Sequence, residues 1–185
     1  QQARDPAMLA QQSWPQDAVR SIDMTTVQVR VFNRAGQLTE ARALPRVEKT
    51  DAEWRQQLTP DQYAIARAHG TERPFCGTLL DNKRTGVYSC ICCGLPLFAS
   101  NAKFDSGTGW PSFFQPIADE NVAVKADTSY GMRRVEILCA RCDCHLGHVF
   151  PDGPPPTGQR HCVNSESLAF TDVDQLSSLA DPAAS

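Results

Sequence analysis

Cys162 is the residue whose type and surroundings most directly suggest covalent chemistry. It lies in a strand-like run, residues 160–165, that follows a turn rich in proline and glycine. Basic neighbours favour the thiolate, which is the nucleophilic form of cysteine, and Arg160 and His161 directly precede this thiol. A single cysteine is more often a small buried apolar residue. The catalytic interpretation of Cys162 therefore needs support from elsewhere in the chain.

Three polar residues could assist a nucleophilic cysteine. His145 and His148 are separated by a Leu-Gly spacer, and imidazole titrates near neutrality, so either ring could supply a proton. Asn164 is two residues from Cys162 and is expected on the same strand face, where it could bond a histidine or the polar end of a substrate. The alternatives are structural: buried polar histidines and an asparagine in a turn.

Two Cys-x-x-Cys pairs, far apart in sequence, predict a structural metal site. Four thiolates suit tetrahedral Zn²⁺ at about 2.3 Å and leave no open position for water. Gly94 provides the backbone freedom of a knuckle turn, while Cys92 and Cys144 leave some ambiguity about which sulfurs bind. A disulfide or a thioredoxin-like motif is the alternative, but that motif expects a βαβ context, which the pattern lacks. The ligands chosen are Cys90, Cys93, Cys139 and Cys142.

The elements before residue 70 are predicted from alternation and from helix-capping signals. Residues 1–22 have no periodicity and are interpreted as an extended arm. Residues 27–32 and 38–47 flank a turn at 33–36 and predict a small hairpin. Thr50 followed by Glu53 predicts a capping box and a helix through Leu58. Thr59 with Pro60 predicts a second helix that stops at Gly70.

After residue 70, short apolar runs alternate with turns, which is typical of a mainly antiparallel β domain. The tail from residue 173 is rich in Ser, Ala and Asp and is expected to fray. The chain thus divides into an arm and hairpin (1–49), a domain (50–172) and a tail (173–185).

Composition excludes several functions. The chain has 185 residues, a net charge of −3 and a pI near 5.8. A nucleic-acid partner is not expected, because no dense run of Lys or Arg is present. No stretch approaches the ~18 apolar residues of a membrane span. Because the first residue is Gln1, the chain is interpreted as a processed or trimmed product.

Five segments together resemble the zinc-containing methionine sulfoxide reductase B family. They are residues 71–77, 86–98, 104–113, 139–153 and 160–165, and the resemblance covers about residues 50–172. It implies an α+β, mainly β domain of β-tent type, with two small antiparallel sheets, short N-terminal helices and one structural Zn²⁺. It also implies reduction of the R epimer of methionine sulfoxide, in proteins and possibly in free form, as a repair of oxidative damage.

The resemblance assigns roles to five residues, and Cys76 and Phe150 complete the predicted site. Cys162 would attack the sulfoxide sulfur, leaving methionine and a sulfenic acid on the enzyme. Trp110 would place an apolar wall against the substrate methyl group, although it could be a core residue only. The complete set predicted is Cys162, Cys76, His145, His148 and Asn164 for catalysis, with Trp110 and Phe150 for substrate binding.

The residue that resolves the sulfenic acid differs from the commonest family pattern. That position, in the loop before Trp110, is Thr108 here. Some members carry the resolving cysteine at the position matching Cys76, which is therefore the predicted resolver, with Cys92 and Cys144 as competing candidates. Thioredoxin or a similar dithiol would reopen the disulfide. Glu166 is a second departure, since the family usually has a small or apolar residue there.

Two other functions and the location complete the expectations. The main alternative to the reductase is a zinc-ribbon interaction module without catalysis. A thiol peroxidase is the third candidate function. The arm and hairpin are similar to exported bacterial members, which favours the periplasm. A reducing compartment suits zinc thiolates, so the cytoplasm is the alternative. A monomer is expected.

Overall fold

The computed structural model describes residues 25–184 and has the predicted mainly β, antiparallel architecture. The predicted arm over residues 1–22 lies outside the described residues. Within residues 25–184, no helix is both long and apolar enough to cross a membrane. In chain order, the strands are β1 (Thr26–Val29), β2 (Arg42–Pro45), β3 (Gly86–Cys90), β4 (Pro96–Ala99), β5 (Lys103–Phe104), β6 (Ser112–Phe113), β7 (Val122–Asp127), β8 (Arg134–Cys139), β9 (His145–Phe150), β10 (Arg160–Val163) and β11 (Leu168–Asp172).

Two antiparallel sheets form the body of the molecule. The larger has six strands in the order β5-β6-β10-β9-β8-β7, and the smaller has three in the order β11-β3-β4. Aromatic rings from both sheets meet in the core: Phe98 of β4 stacks on Phe113 of β6 at 4.4 Å between centroids, and Tyr88 of β3 meets Phe113 at 5.1 Å. Strand β10, which carries Cys162, lies in the middle of the larger sheet and is fixed by this core.

Both predicted helices are present, and both begin with the predicted capping box. Helix α1 (Asp51–Gln57) follows Thr50 and helix α2 (Pro60–Ala66) follows Thr59. Each threonine side chain accepts a hydrogen bond from the amide of the third helical residue, and the side-chain oxygen of that residue accepts one from the threonine amide. Helix α2 ends before the predicted stop at Gly70. The chain turns at His69, whose φ is +55°, and the Gly70 amide bonds the Ala64 carbonyl.

The predicted hairpin is confirmed, and it is part of the core. Strands β1 and β2 pair antiparallel, with Val27 opposite Leu44. Val29, Val31 and Leu44 are buried in the same apolar cluster as the rings of the main sheets. The segment after β2 is held too, because the Val47 amide donates to the Arg141 carbonyl at 2.9 Å.

The tail differs from the frayed segment expected from composition. Residues Val173–Leu179 and Pro182–Ala184 form short 3₁₀ helices. Asp181 forms a largely buried ion pair with Arg141 at 2.5 Å, and its amide donates to the Phe32 carbonyl at 2.9 Å. These contacts tie the tail to the hairpin and to the second cysteine pair. The prediction of a frayed tail from its composition is therefore wrong.

Candidate active site and metal centre

Cys162 lines a small cavity whose walls include residues of the paired strands β9 and β10. It pairs with His148 of β9 on one side and with Ser112 of β6 on the other. The cavity measures about 140 Å³, below the ~300 Å³ at which drug-sized ligand pockets begin. It therefore suits a single side chain. Its lining residues are Thr71, Trp110, Arg134, Gly147, His148, Phe150, Cys162, Val163 and Asn164.

The pKa of the Cys162 thiol is raised, whereas its basic neighbours predict a lowered pKa and a thiolate. Burial raises the pKa of this thiol. The positive charge of Arg160 and the hydrogen bonds that Thr108 and Arg160 make to Cys162 offset only part of that rise. His161 does not contribute, because neighbouring residues of a strand point to opposite faces. Its ring is buried against Phe98, and its Nδ1 lies 3.2 Å from the Phe113 carbonyl. Burial also lowers the pKa of His161, which favours the neutral imidazole.

His148 is the histidine that faces the cavity. Its Nε2 lies 2.8 Å from Oδ2 of Asp127, and that carboxylate also pairs with Arg134 at 2.8 Å. Hydrogen bonds from Ser129, and then from His148, hold the pKa of Asp127 well below its usual range. Asp127 is thus a fixed anion that orients the ring. Within residues 25–184, the hydrogen bonds of His148 use only Nε2, which leaves Nδ1 for a substrate.

His145 lies behind His148 and is outside the cavity lining. It is buried, its ring meets that of His148 at 5.7 Å, and its Nδ1 lies 2.6 Å from Oε1 of Glu136. Burial lowers the pKa of His145, while Glu136 opposes that effect. The two predicted histidines are therefore not equivalent: one contacts the cavity and the other supports it.

Asn164 reaches the cavity, but its amide does not bond a histidine. It donates to the Leu146 carbonyl at 3.0 Å and accepts from the Glu72 amide at 3.1 Å. It directly follows β10 in extended backbone, at the N-cap position of the 3₁₀ turn Ser165–Ser167, and it lines the same cavity as Cys162, as their spacing predicts. Its hydrogen bonds join Glu72, four residues before Cys76, to Leu146 of β9.

Glu72 organises this loop, and sequence reasoning gave it no role. Its carbonyl accepts from Trp110 Nε1 at 3.1 Å, which fixes the half-buried indole at the cavity. Its carboxylate accepts the amides of Ser165 at 2.8 Å and Glu166 at 3.2 Å. Burial, and then Glu72, raises the pKa of Glu166. These partners lie far along the chain, so no local spacing signal connected them to Glu72.

Phe150 and Arg160 form one wall of the site. The Arg160 guanidinium lies over the Phe150 ring at 4.5 Å and binds both carboxylate oxygens of Asp152 at 2.9 and 3.0 Å. The fork geometry fixes the guanidinium beside the Cys162 sulfur. Phe150 is therefore a supported wall of the cavity, as predicted for a substrate-binding residue.

Cys76 is exposed on a loop that rests on the Thr108 loop. The amide of the preceding residue, Phe75, donates to the Gly109 carbonyl at 2.8 Å. Cys92 and Cys144, the competing resolvers, are buried near Cys90, with all three sulfurs within 4.8 Å of one another. Cys144 precedes His148 by four residues, and strand spacing then places it about 13 Å along β9 from Cys162. The resolving role of Cys76 therefore stays a prediction.

The two cysteine pairs meet as predicted and form a cluster able to hold a metal ion. The ligand sulfurs of Cys90, Cys93, Cys139 and Cys142 all lie within 4.8 Å of one another. Each pair is followed by a residue with positive φ, Gly94 or Asp143, whose amide bonds the first cysteine's carbonyl at 2.8 or 3.0 Å. Four converging sulfurs in two matching knuckles fit a closed tetrahedral site. This fit supports a structural ion.

Comparisons with known proteins agree with this geometry. A sequence profile of the SelR domain matches residues 58–172. The peptide methionine sulfoxide reductase MsrB of Hahella chejuensis is 58% identical over 131 residues, which is 71% of this chain and 94% of that protein. The MsrB of Pseudomonas putida strain W619 is 58% identical over 71% of this chain and 98% of its own length. The MsrB of Methanosarcina barkeri is 58% identical over 124 residues.

Proposed function

The chain belongs to the SelR-domain family, and from that premise we propose that it reduces methionine-R-sulfoxide in proteins through Cys162. The observation that carries the proposal is the cavity in which Cys162 lies beside His148, Trp110 and Phe150. Its size suits one oxidised methionine side chain presented by a polypeptide. The same cavity would accept free methionine sulfoxide with fewer contacts, so protein-bound substrate is favoured.

The first step moves the sulfoxide oxygen to the enzyme. The Cys162 sulfur attacks the sulfoxide sulfur and forms a transient S–S bond. The S–O bond of the substrate then breaks, the hydroxyl passes to the Cys162 sulfur, and the S–S bond breaks, which leaves a sulfenic acid on Cys162. One methionine is released. His148, oriented by Asp127, protonates the oxygen and regains its proton from the thiol. The Trp110 and Phe150 rings accept the methyl group and exclude water.

The second step removes the oxygen as water. The thiol of Cys76 attacks the sulfenic sulfur, and a Cys162–Cys76 disulfide forms with loss of one water molecule. Cys76 is on an exposed loop, so this step requires loop movement. An external dithiol, such as thioredoxin, then restores both thiols by exchange and becomes a disulfide itself.

The four-cysteine cluster would hold one structural Zn²⁺ through Cys90, Cys93, Cys139 and Cys142. When bound, the ion supplies a cross-link and no open coordination position. Catalysis belongs to the residues at the other end of β9.

One experiment separates the steps of this scheme. The full chain receives one equivalent of methionine-R-sulfoxide without reductant, and thiols and methionine are counted. We expect one methionine, loss of two thiols, and a disulfide peptide joining Cys76 to Cys162. Cys76→Ser should still release one methionine but stop turning over with thioredoxin. Cys162→Ser should release none.

Three results would contradict the scheme. Methionine formation by Cys162→Ser would exclude Cys162 as the nucleophile. Full thioredoxin-dependent turnover by Cys76→Ser would exclude the resolver. Equal reduction of the S epimer would exclude the proposed stereochemistry. Cys92→Ser provides the matched control, because it also removes one thiol but should keep both the burst and the turnover.

A further inference from the structure

A second cluster of metal-ligating side chains lies beside the active site and is distinct from the four cysteines. It consists of His69, Glu136 and His145, whose ligand atoms all lie within 4.8 Å of one another. We propose that this cluster binds one divalent transition-metal ion of the Zn²⁺ or Co²⁺ type, and that the bound ion inhibits the reductase. These three residues are called the triad.

The donor geometry matches such an ion. Nδ1 of His69 lies 2.8 Å and Nδ1 of His145 lies 2.6 Å from the same oxygen, Oε1 of Glu136. Ligands bound to Zn²⁺ at about 2.0–2.2 Å are separated by about 3–3.5 Å, so each nitrogen–oxygen distance needs to lengthen by less than an ångström, and the two nitrogens already lie within 4.8 Å of each other. Two histidines and one carboxylate are also a ligand set used by open zinc sites.

The backbone presents the ligands from three elements. Glu136 lies on β8 and His145 on the neighbouring strand β9, while His69 comes from the turn after α2. His69 has a φ of +55°, a left-handed conformation that non-glycine residues adopt at a cost and that often occurs at functional positions. This turn directs the ring toward Glu136, although the ring remains 57% exposed.

Solvent access supports an open coordination sphere. The triad borders a cavity of about 750 Å³, which Asp127 and His148 also line. An ion held by three protein ligands could therefore complete its sphere with water. Glu136 and Asp127 contribute negative charge to this cavity, whereas Lys125 and Arg134 oppose it. Arg134 is already paired with Asp127, so Lys125 is the main opposing charge.

The link to catalysis is direct. The His145 ring meets the His148 ring at 5.7 Å, and His148 faces the reactive cavity. Binding would replace the hydrogens on both Nδ1 atoms and pull His145 away from its present position. A cation bound to the triad would also repel the positive charge that His148 carries when it acts as a proton donor.

The test measures metal stoichiometry, which does not depend on activity. Full-length protein already loaded with one equivalent of zinc is titrated with Co²⁺. We expect one further equivalent to bind, with weak visible absorption typical of nitrogen and oxygen ligands and without the thiolate charge-transfer band of a cysteine site. His69→Ala should weaken this binding at least tenfold. Lys125→Ala, a control in the same cavity, should retain or tighten it.

Activity supplies the second readout. Excess Co²⁺ or Zn²⁺ should slow the wild-type reductase reversibly, while His69→Ala should keep its basal rate and resist the inhibition. Retention of the first zinc equivalent by His69→Ala verifies that the variant folds. The proposal is overturned if the wild type binds no second equivalent, if His69→Ala binds it equally well, or if the bound Co²⁺ has thiolate charge transfer.

Discussion

At the scale of single residues, the pKa of the Cys162 thiol depends on a balance between burial and Arg160. Burial raises the pKa of the thiol, and the guanidinium, fixed by Asp152, lowers it again in part. Sequence reasoning treated both preceding residues as activators. Only Arg160 acts in this way, since it shares a strand face with Cys162, whereas His161 is buried on the opposite face.

Replacing Arg160 tests this balance. Arg160→Met keeps the apolar stem and removes the charge, so the pKa of Cys162 should rise further and its alkylation by iodoacetamide should require a higher pH. Asp152→Asn is the matched control: it frees the guanidinium, which should leave the alkylation profile unchanged or moved to lower pH. An unchanged profile in Arg160→Met would show that the guanidinium does not stabilise the thiolate.

Thr108 permits a gain-of-function prediction. Its hydroxyl lies beside the Cys162 sulfur, and its loop supports the loop of Cys76. A thiol at this position would be close enough to resolve the sulfenic acid. Cys76→Ser combined with Thr108→Cys should therefore recover thioredoxin-dependent turnover that Cys76→Ser alone lacks, with a Cys162 disulfide at position 108. Thr108→Ser in the same background should recover none.

At the scale of elements, the site depends on the close pairing of β9 and β10. Gly147 faces Val163 across this pair and has a φ of +156°. A Cβ at Gly147 would lie 1.9 Å from the Cys162 carbonyl oxygen, closer than any real contact. The strand carrying the reactive thiol can approach the strand carrying His148 only because position 147 has no side chain.

Gly147→Ala should therefore separate the two strands and lose most reductase activity. Gly131→Ala is a matched control at the exposed β7–β8 turn: its φ is +71°, but an added Cβ there meets nothing within 4 Å. A non-glycine residue in a sparsely populated backbone conformation costs about 1–3 kcal/mol, so both variants should lose about this much stability in urea unfolding. Only Gly147→Ala should lose more than this and change the Cys162 alkylation rate. Equal behaviour of the two variants would contradict the steric argument.

At the scale of the whole molecule, the hairpin belongs to the fold although the SelR profile begins at residue 58. Leu44 is 4% exposed and packs in the common core. Leu44→Ala should lower the free energy of unfolding by about 2–5 kcal/mol, measured by urea denaturation. Gln28→Ala, on the exposed side of the same hairpin, should change it by less than about 0.5 kcal/mol. A small effect at Leu44 would mean that the hairpin folds independently of the domain.

The parts of the molecule that sequence predicted are those encoded by local spacing. The cysteine knuckles, both capping boxes, the hairpin and the strand that carries Cys162 each have their signal within a few residues. Glu72, Asp127 and Glu136 were missed, because their partners are brought close by strand register and by loops that meet only after folding. His161 is an instructive error, since period-two alternation already placed it opposite Cys162.

The metal cluster joins the two sheets, and this position gives the last prediction. Cys90 ends β3 of the smaller sheet and Cys139 ends β8 of the larger one. Arg141, between the ligands of the second pair, bonds the hairpin and the tail. Loss of the ion should therefore loosen the sheets, the hairpin and the tail together.

With free zinc about 1,000-fold above its dissociation constant, zinc binding adds about 4 kcal/mol to the free energy of unfolding. Removal of the zinc should therefore lower the unfolding midpoint by about 8–16 °C. Calorimetry before and after strong chelation measures this shift, and Cys92→Ser, which should keep one zinc per chain and the same shift, is the control. An unchanged midpoint in metal-free protein would mean that the packed sheets alone hold Cys162 in place.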